Sequence, residues 1–532
     1  MRRLATRRTA VGLALAPILA TVPWPLHART PQNVLVVAKN IDDIVNLDPA
    51  QAYEFSSGEI VSNIYERLVE YDPAKLDEPR PGLAARWTIS EDGRSIAFTL
   101  RDGARFASGN PVRPEDVVFS FHRVVGLNKA PAFILKQFGW TPTNVERMVR
   151  KTGDREVTIT IDGDFAPSFV LNALGARVGS VVDAETVQRN AKDGDFGNAW
   201  LSRASAGSGS YALGTWRPNE RVVLQANPNA QAMAKMPQVV FVHVAEGATQ
   251  RLMLEAGDAD IARNLSADQI AAVRGKAGID VQTYPQAALH FFSLNVKHEK
   301  LNRPELWNAL RYLIDYDGIA ELLLRGQMSV HQTFWPTGFP GAVDDRPYRL
   351  DVVRAKSILE KAGIRDLAIA VDMIASSPFT EIGQSMQATM AQAGIKLTLL
   401  PAASSQVITK YRARQHEGML LYWGPDFMDP HSNAKAFAYN VDNSDGAPQS
   451  TTTWRNAWHV PELSRKTMAA LVERDPAKRL DMYRDLQREV LKSSPWVMTF
   501  QAQAQVALWS NVTGFVHGPT NDFVRYRDVE KR

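Results

Sequence analysis

The C-terminal tail constrains the fold more than any other segment, because its pattern returns to the one found near the start of the chain. Residues 33–262 read mainly as short strands joined by turns, with the alternating apolar residues of half-buried strands. From about residue 285, longer amphipathic helices alternate with strands, which indicates a separate α/β unit. The tail "VALWSNVTGFVHG" (506–518) is strand-like again. We therefore expect a chain that crosses between two lobes more than once, an arrangement that forms a hinge.

The size and composition of the chain agree with two lobes. It has 532 residues, which is more than one hydrophobic core usually contains. With 45% hydrophobic and 22% charged residues, it has the composition of an ordinary soluble globular protein. The sequence contains no repeat of fixed period, so we do not expect a repeat architecture.

Residues 1–28 have the three parts of an export signal. Four arginines precede an apolar stretch over residues 10–22, and Ala28 offers a small residue for cleavage. The apolar stretch is too short to span a bilayer. The arginine pair in "TRRTAVGLALA" resembles a twin-arginine signal, while the missing Phe-Leu after that pair leaves the ordinary secretory route open. The sequence therefore predicts a periplasmic protein whose signal is cleaved near Ala28.

The charge of the mature chain argues against a nucleic-acid partner. The formal net charge is +4, and because residues 1–28 contain four arginines and no acid, the remainder is close to neutral. A nucleic-acid-binding protein needs a basic stripe, and the sequence has none. The absence of cysteine excludes disulfides and a lipid anchor on an N-terminal cysteine. Beyond the signal, no run of about 18 apolar residues occurs, so we expect no membrane span.

One apolar strand is followed directly by an unusual group of aromatic and acidic residues. In "LLYWGPDFMDPHSNAKAF" (420–437), the strand ends in Tyr422 and Trp423, and a Gly-Pro pair then breaks the chain. Asp426 follows at once, beside Phe427. A break at the C-terminal end of a strand exposes side chains in a crevice. Asp426 can either contact a ligand from this position or only cap a turn.

Many segments, taken in their order, resemble one family: the extracytoplasmic solute-binding proteins of ABC importers for peptides, nickel and related solutes (family 5). Each segment alone could be an ordinary strand–turn or helix start, so the resemblance rests on their number and order. They cover nearly all of the chain after the signal. The segments are "LDPA" (47–50), "NIYERLVEYD" (63–72), "PGLAARWTISEDGRSIAFTLRDGARFASGNPVRPEDVVFSFHRV" (81–124), "GSGSYALGTWRPNERVVLQANPN" (207–229), "RLMLEAGDADIA" (251–262), "FSLNV" (292–296), "ALRYLIDYDGI" (309–319) and "MLLYWGPDFMDP" (419–430).

The resemblance implies an α/β fold of the bilobed periplasmic-binding-protein class, a type II-like clamshell whose cleft closes on a solute. Lobe one would take residues 29–288 and contain an inserted β-rich subdomain at about 53–177. Lobe two would take residues 289–499, and the tail 500–532 would return to lobe one.

The same resemblance implies that the chain is not an enzyme but the periplasmic substrate-binding component of an ABC importer. It would capture a peptide or a similar amine-bearing solute and deliver it to a membrane permease with ATPase subunits, as a monomer without a cofactor. The alternative is a binder of nickel, of a metal complex, or of an opine-like or oligosaccharide-like solute. An exported hydrolase is a further alternative, although the sequence has no GxSxG, HExxH, P-loop or CxxC motif.

The family resemblance gives Asp426 a specific role. In the peptide-binding members, the tract that resembles Trp423–Pro430 carries an aspartate that pairs with the α-ammonium of the ligand, and Trp-x-x-Asp places that role on Asp426. An ammonium that leaves water needs a full countercharge, and aromatic ring faces also attract it. Around Asp426 we expect Tyr422, Trp423 and Phe427 to contact the ligand.

Two further segments occupy positions where the family contacts its ligand. Phe55 or Ser56 in "AYEFSSG" (52–58) would line the cleft, although core packing is an equal alternative for Phe55. Gly209 and Ser210 lie in "AGSGSY" (206–211), which resembles a Gly-x-Gly-Pro-Tyr loop whose backbone approaches the ligand. Here a serine replaces the proline of that loop.

Contact with a ligand anion has one candidate. Trp454 and Arg455 follow a polar loop and could reach the cleft, and Arg455 would supply the positive charge. The dipeptide binders of the family place an arginine near the segment that corresponds to residues 373–381, yet no arginine lies between Arg365 and Arg412 here. The resemblance therefore does not specify how a ligand carboxylate would be held.

A metal site at Asp426, Asp429 and His431 is the competing interpretation. These donors are two hard carboxylates and one imidazole, and nothing nearby in the sequence completes a coordination shell. Asp429 also precedes Pro430 in the arrangement of an N-cap before a helix whose first residue is proline. We therefore expect a structural role for Asp429 and no bound metal.

Overall fold

The computed structural model describes residues 29–73, 75–447 and 451–532, so the predicted export signal at residues 1–28 lies outside the described residues. Strands and helices are mixed along the chain, which confirms the expected α/β class. The strands are β1 Val34–Lys39, β2 Val69–Asp72, β3 Lys75–Pro81, β4 Ala84–Ile89, β5 Ser95–Leu100, β6 Val149–Gly153, β7 Glu156–Thr160, β8 Tyr211–Arg217, β9 Arg221–Ala226, β10 Gln238–His243, β11 Ile261–Ala262, β12 Ile279–Leu294, β13 Met328–Val330, β14 Leu367–Ile374, β15 Ile395–Ala402, β16 Gly418–Trp423, β17 Trp496–Trp509, β18 Val512–Thr513, β19 Val516–His517, β20 Val524–Arg525 and β21 Glu530–Lys531. The α-helices are α1 Phe55–Ile64, α2 Pro114–Leu127, α3 Phe133–Lys136, α4 Val145–Met148, α5 Pro167–Leu174, α6 Ala184–Asn190, α7 Asn198–Leu201, α8 Gly247–Ala256, α9 Ala267–Val273, α10 Pro304–Arg311, α11 Val352–Lys361, α12 Phe379–Gln392, α13 Ser404–Arg412, α14 Pro430–Ala438, α15 Thr452–Arg455, α16 Pro461–Val472 and α17 Pro476–Ser493.

One large mixed sheet organises the molecule. Its strands follow the order β15-β14-β16-β12-β17-β11-β1-β10-β9-β8, and β13 pairs with β17 beside this path. At one end β14 is parallel to β15 and β16, and towards the other end β1 is parallel to β10 and β11. Between these groups, β12 and β17 are antiparallel to their neighbours. The sheet thus has two parts with parallel strands, joined through an antiparallel centre.

The long strands β12 and β17 connect the two parts of the sheet. They pair along residues 279–293 and 496–509, with an irregularity between Pro285 and Leu289. On one side of this irregularity the pair adjoins β11, and on the other side it adjoins β16. Each predicted lobe boundary falls inside one of these two strands, and the division of the chain at those residues stays a prediction.

Buried apolar side chains form several separate clusters. The largest surrounds β12, β14 and β16 and includes Phe291 and Phe437, and another lies beneath β1 and β10. A third cluster, with Phe98 and Phe169, gathers residues 50–181 and also takes in Phe427 from the distant loop after β16. Burial of each large apolar side chain contributes roughly 1.5–3 kcal/mol, so each cluster is a stabilising core.

In "SSGEIVSNIYERLVEYD" (56–72), the helical spacing of Ile60, Ile64, Leu68 and Val69 predicts one helix, but the helix in the structure is shorter. It ends at Ile64, and the next residue has the extended backbone of a C-cap. Residues 69–72 instead form β2, in which Val69 and Tyr71 are buried and alternate with less buried neighbours. The apolar spacing up to Leu68 fits a helix, but pairing of β2 with β3 determines the structure of the residues that follow.

The alternating apolar residues and the Asp-Gly turns at 92–93 and 102–103 predict a β-meander over residues 86–112, and this prediction is only partly correct. Ile96, Phe98 and Leu100 of β5 are buried and alternate with more exposed residues, as expected. However, β5 lies between β4 and β7 in its sheet. The segment directly after β5 makes one isolated bridge and then leads into α2, so it does not form the next strand of a meander. The free edge of β5 pairs with residues 156–160, which have the same alternating pattern.

In "DPAKRLDMYRDLQREVLKSS", Asp475 before Pro476 predicts the N-cap of a helix, which is α17 in the structure. Asp475 accepts a hydrogen bond from the Lys478 backbone N–H at 2.8 Å, and Pro476 is the first helical residue. We expect Asp475→Ala to lower the free energy of unfolding by about 1 kcal/mol, because an N–H at the helix start loses its partner. Chemical denaturation of the two proteins measures the difference. Asp485→Ala on the exposed face of the same helix should change it by less than about 0.5 kcal/mol, and equal losses in both variants would contradict a capping role.

Candidate ligand-binding site

The loop after β16 holds the candidate acid in a defined position. β16 ends at Trp423, and the Gly-Pro pair breaks the strand before α14 begins. Asp426 donates its backbone N–H to Ser432 Oγ at 2.9 Å, which ties the loop to the first turn of α14. The position of the Asp426 side chain is therefore set by the strand on one side and by the helix on the other.

Asp429 caps α14 as predicted and takes part in a buried network. It accepts the His431 backbone N–H at 2.9 Å and is held by Arg479 through two hydrogen bonds of 2.8 and 2.9 Å. Asn172 donates to the same carboxylate at 2.9 Å. Burial is the largest influence and opposes its ionisation, but the Arg479 charge and the hydrogen bonds to the carboxylate together outweigh it and lower the pKa of Asp429. The carboxylate is thus occupied by structural partners, and His431 Nδ1 is hydrogen-bonded to Tyr483 at 3.1 Å, so this geometry does not support the competing metal site.

Asp426 is paired with a hydroxyl group from a distant part of the sequence. Tyr53 OH donates to Asp426 Oδ1 at 2.6 Å, although the two residues are 373 positions apart. Burial, and then the nearby carboxylate, raises the pKa of Tyr53 well above its ordinary value. The phenol is therefore a permanent hydrogen-bond donor at neutral pH, and Asp426 joins the segment before α1 to the loop after β16.

Three cations act on Asp426, and only one of them has its own counterion. Burial raises the pKa of Asp426, while the phenol hydrogen bond and the charges of Arg177, Arg455 and Lys435 oppose that shift. Arg177 forms an ion pair with Asp522 at 2.9 Å. In the part of the chain that the structure describes, the side chains of Arg455 and Lys435 make no hydrogen bond and no ion pair, and burial lowers the pKa of both. The site therefore has cationic groups that a ligand anion could neutralise.

Several aromatic rings pack around Tyr422 at the end of β16. The Tyr422 ring centroid lies 5.7 Å from that of Phe55, 5.9 Å from Phe379 and 6.0 Å from His290. Burial lowers the pKa of His290 to about 4, so this imidazole is neutral at physiological pH. The Phe55 side chain keeps 40% of its surface exposed. Tyr422 and Phe55 thus form an apolar contact between β16 and the start of α1.

Trp423 and Arg455 lie together beside this group. The Arg455 guanidinium carbon is 5.9 Å from the Trp423 ring centroid and 5.3 Å from that of Tyr411. The Trp423 ring also packs edge-on against Phe437, with centroids 6.0 Å apart. The structure therefore brings Asp426, Tyr422, Trp423, Phe55 and Arg455 into one region, and their roles as ligand contacts stay predictions.

Two other candidates point into packed surroundings. Phe427 is buried and contacts Phe169 edge-on, with centroids 5.6 Å apart, so its ring anchors the loop. Trp454 is also buried, donates its indole N–H to the Ser444 carbonyl at 2.8 Å, and lies beneath the Arg414 guanidinium. Their roles as ligand contacts stay predictions, and both side chains have clear structural roles.

Ser56, Gly209 and Ser210 are not brought to Asp426 by any contact within the described ranges. Ser56 is buried in the first turn of α1, where its backbone N–H donates to Asp43 at 2.9 Å. Gly209 and Ser210 line a separate cavity of about 40 Å³. A Cβ at Gly209 would lie 2.7 Å from the Ile64 backbone, so this glycine allows two chain segments to pack closely.

Sequence reasoning missed several residues of the site. Tyr53 lies within a segment that was identified for Phe55, but nothing in the sequence connects its hydroxyl to Asp426. Lys435 is one helical turn after His431 on α14, and only the folded structure shows that its charge acts on Asp426. His290 and Phe379 come from β12 and the start of α12. The sequence separation of these four residues gives no indication that they are close in space, because only the folded structure brings them together.

Two further observations concern the described residues only. Within them, no cluster of three or more His, Asp or Glu side chains has the geometry to hold a metal ion. No helix of the described ranges combines the length and the apolar character needed to cross a membrane.

The fold and the site define a class of protein. Two parts that share one sheet, are connected by long strands, and converge on a half-buried acid beside aromatic rings form a bilobed solute-binding protein of the periplasmic type. The family comparison gives the same result, since residues 78–445 match the bacterial extracellular solute-binding proteins, family 5. The chain belongs to this family, and the resemblance inferred from its sequence motifs is confirmed.

Individual relatives cover almost the whole chain. A probable D,D-dipeptide-binding periplasmic protein of Escherichia coli is 28% identical over 511 residues, which is 95% of both proteins. A glutathione-binding protein of Salmonella typhi is 23% identical over 98% of both. A solved structure, the periplasmic binding protein DppA from Helicobacter pylori in complex with the peptide STSA, matches with a TM-score of 0.78 at 22% identity over 94% of this chain and 98% of that one. The expected bilobed α/β fold is thereby confirmed.

Proposed function

We propose that this chain is the periplasmic peptide-binding component of an ABC importer and that Asp426 receives the ammonium group of the ligand. Family membership supports solute binding, and the relatives named above include proteins described as binding dipeptides, glutathione and the peptide STSA. In this proposal residues 1–28 direct export and are removed near Ala28. The mature protein then acts as a monomeric binder without catalytic activity and passes its ligand to a permease with ATPase subunits.

The observation that carries the proposal is the environment of Asp426. Burial raises the pKa of its carboxyl group, so the ionised form lacks full compensation in the unliganded protein. A ligand ammonium would supply the missing charge and would lie beside the ring of Tyr422 or Trp423, whose faces attract cations. The Tyr53 hydroxyl leaves the second carboxylate oxygen available for this contact, because its hydrogen bond is to Oδ1 alone.

The two sides of the site come from segments that are far apart in the sequence. Tyr53 and Phe55 precede or begin α1, whereas Asp426 and Tyr422 follow or end β16. A ligand favours closure only if it binds the closed arrangement better than the open one. An ammonium group between Asp426 and the rings would bind the closed arrangement better than the open one. It can contact both sides of the site at once only when the two sides lie close together. In the same proposal Arg455 contacts a ligand anion.

Binding of short peptides tests the proposed function directly. We expect the purified mature protein to bind at least one member of a mixture of Ala-Ala, D-Ala-D-Ala, Ala-Ala-Ala and glutathione, and to release it chemically intact. Native mass spectrometry identifies the bound species, and a raised melting temperature confirms binding to the folded state. N-acetylated forms of the same peptides should bind much more weakly, because acetylation removes the ammonium charge. Cleavage of the peptides, or no binding of any member, would reject the proposal.

The pH dependence of peptide affinity follows from the raised pKa of Asp426. The ammonium contact requires the ionised carboxylate, so affinity should fall as the pH decreases through that pKa. Because burial moves the pKa upward, the decrease should begin above the pH range of an ordinary aspartate, which titrates at about 3.9. Calorimetric titrations between pH 7.5 and 4.5 measure it. An affinity that stays constant over this range would contradict the assignment of Asp426.

A further inference from the structure

A cavity of about 460 Å³ lies beside the candidate site and has no role in the function proposed so far. Its volume is within the range of small-ligand sites, which is roughly 300–1,000 Å³. The segment that connects α2 with α3 and continues into α3 forms one wall, and α14 contributes to the other. The lining residues are Asn128, Lys129, Ala130, Phe133, Lys136, Gln137 and Lys435.

The lining of this cavity is positively charged. It includes three lysines, and the described residues around it contribute no carboxylate. Lys136 donates to Asn128 Oδ1 at 2.7 Å, a neutral partner that leaves its charge uncompensated. Lys129 is exposed, and its ammonium makes no hydrogen bond or ion pair within the described ranges. The exposed ring of Phe133, at 44% exposure, adds an apolar surface between the charges. Such a lining suits a ligand group that combines negative charge with aliphatic carbon.

Lys435 connects this cavity to Asp426. It lines the cavity, and its ammonium is close enough to Asp426 for each charge to act on the other. Burial lowers the pKa of Lys435, while Asp426 raises it. A half-buried ammonium without a hydrogen-bonding partner is costly unless an anion compensates it. The cavity and the ammonium-binding position are therefore adjacent parts of one polar region, with opposite charges at their two ends.

We propose that the lysine-lined cavity binds the C-terminal carboxylate of the peptide whose ammonium group contacts Asp426. This inference rests on the proposed function and adds the class of ligand: a short peptide with both termini free. The carboxylate would be neutralised by Lys435 on one side and by Lys129 and Lys136 on the other. Because the two walls come from distant segments, the carboxylate would also hold them together.

The arrangement around α12 agrees with this position of the carboxylate. The loop before α12 has no arginine, and its first helical residue, Phe379, places its ring against His290 and Tyr422. That contact is apolar and offers no charge to a carboxylate. The three lysines of the cavity thus suit the C-terminal carboxylate, which leaves Arg455 available for an anionic group on a ligand side chain, and the cavity lies on the Lys435 side of Asp426.

Matched peptides separate this inference from the proposed function. The full mature chain is titrated with Ala-Ala and Ala-Ala-Ala, each as the free acid and as the C-terminal amide, at low and at physiological ionic strength. We expect the free acid to bind at least about tenfold more tightly than the amide. The Lys435→Met variant should lose about that factor for the free acid and little for the amide. The Lys129→Met/Lys136→Met double variant, which changes less buried residues, should show the same selective loss.

The controls make each outcome decisive. Lys361→Met, at the exposed end of α11, should leave both affinities unchanged. Circular dichroism melting confirms that each variant is folded. Equal binding of acid and amide by the wild-type chain would overturn the inference while leaving the peptide-binding function in place. Binding of neither form would overturn both. A loss of equal size for acid and amide in the lysine variants would also contradict a carboxylate site.

Discussion

Asp426→Asn should weaken peptide binding by about 2–5 kcal/mol, the range for removing one partner of a buried charge pair. Asparagine keeps the shape of the side chain but cannot neutralise an ammonium group. The same variant should not destabilise the unliganded protein at neutral pH. Burial raises the pKa of Asp426 in the folded state, so ionisation above that pKa costs folding free energy, and the neutral amide avoids this cost. Calorimetry and thermal melting measure the two effects.

The control for this substitution is an exposed aspartate outside the site. Asp258→Asn changes charge by the same amount at an exposed position after α8 and should alter neither affinity nor melting temperature. Peptide affinity in Asp426→Asn should also lose its dependence on pH between 7.5 and 4.5. Unchanged affinity in Asp426→Asn, with a peptide that the wild type binds, would remove Asp426 from the ligand site.

Arg479→Met should lower the free energy of unfolding by about 3–5 kcal/mol, because it leaves the buried Asp429 carboxylate without its counterion. Both terminal nitrogens of the Arg479 guanidinium contact this carboxylate, and both residues are almost fully buried. Against the effect of burial, the Arg479 charge and the hydrogen bonds to the carboxylate together hold the pKa of Asp429 below its usual range. The stability that Asp429 contributes is therefore present above the unfolded-state pKa and decreases as the pH falls through the folded-state value. Urea denaturation at pH 7 measures the loss.

Two further variants show whether the loss arises from the unpaired carboxylate. Arg484→Met on the same helix removes a partly exposed arginine whose pair with Asp481 should contribute at most about 1 kcal/mol. The double variant Arg479→Met/Asp429→Asn should recover part of the stability, because no buried charge then remains unpaired. If Arg479→Met cost no more than Arg484→Met, the buried pair would not be a stabilising element.

Local patterns in the sequence predicted local structure well. The N-caps Asp429 and Asp475 each precede a proline, and the structure has both helices beginning there, because a cap depends only on the next few residues. The alternation in β5 is confirmed for the same reason. The wrong predictions concern which segments pair with each other as strands. Whether Val69 belongs to a helix or a strand, and whether β5 adjoins β7, depends on pairing with residues that the local pattern does not include.

The site shows the same division between local and long-range information. Asp426 follows a strand end and a Gly-Pro break, and the structure has it half-buried in the loop between β16 and α14. Its partner Tyr53 could not be found, since their hydrogen bond depends on the closure of the whole sheet. The inward orientation of Phe427 was equally inaccessible, because a loop of this kind has no periodicity that fixes which side chains face the core.

The continuity of β12 and β17 has a consequence for attempts to dissect the molecule. A fragment that began at residue 289 and stopped at residue 499 would retain about a third of each strand, and the rest of the chain would keep the other portions. Both pieces would then display unsatisfied backbone N–H and C=O groups along newly created edges, which are templates for intermolecular pairing. Neither half is therefore a suitable miniature receptor, and sensors based on this protein should keep the polypeptide whole and attach their reporters at surface loops.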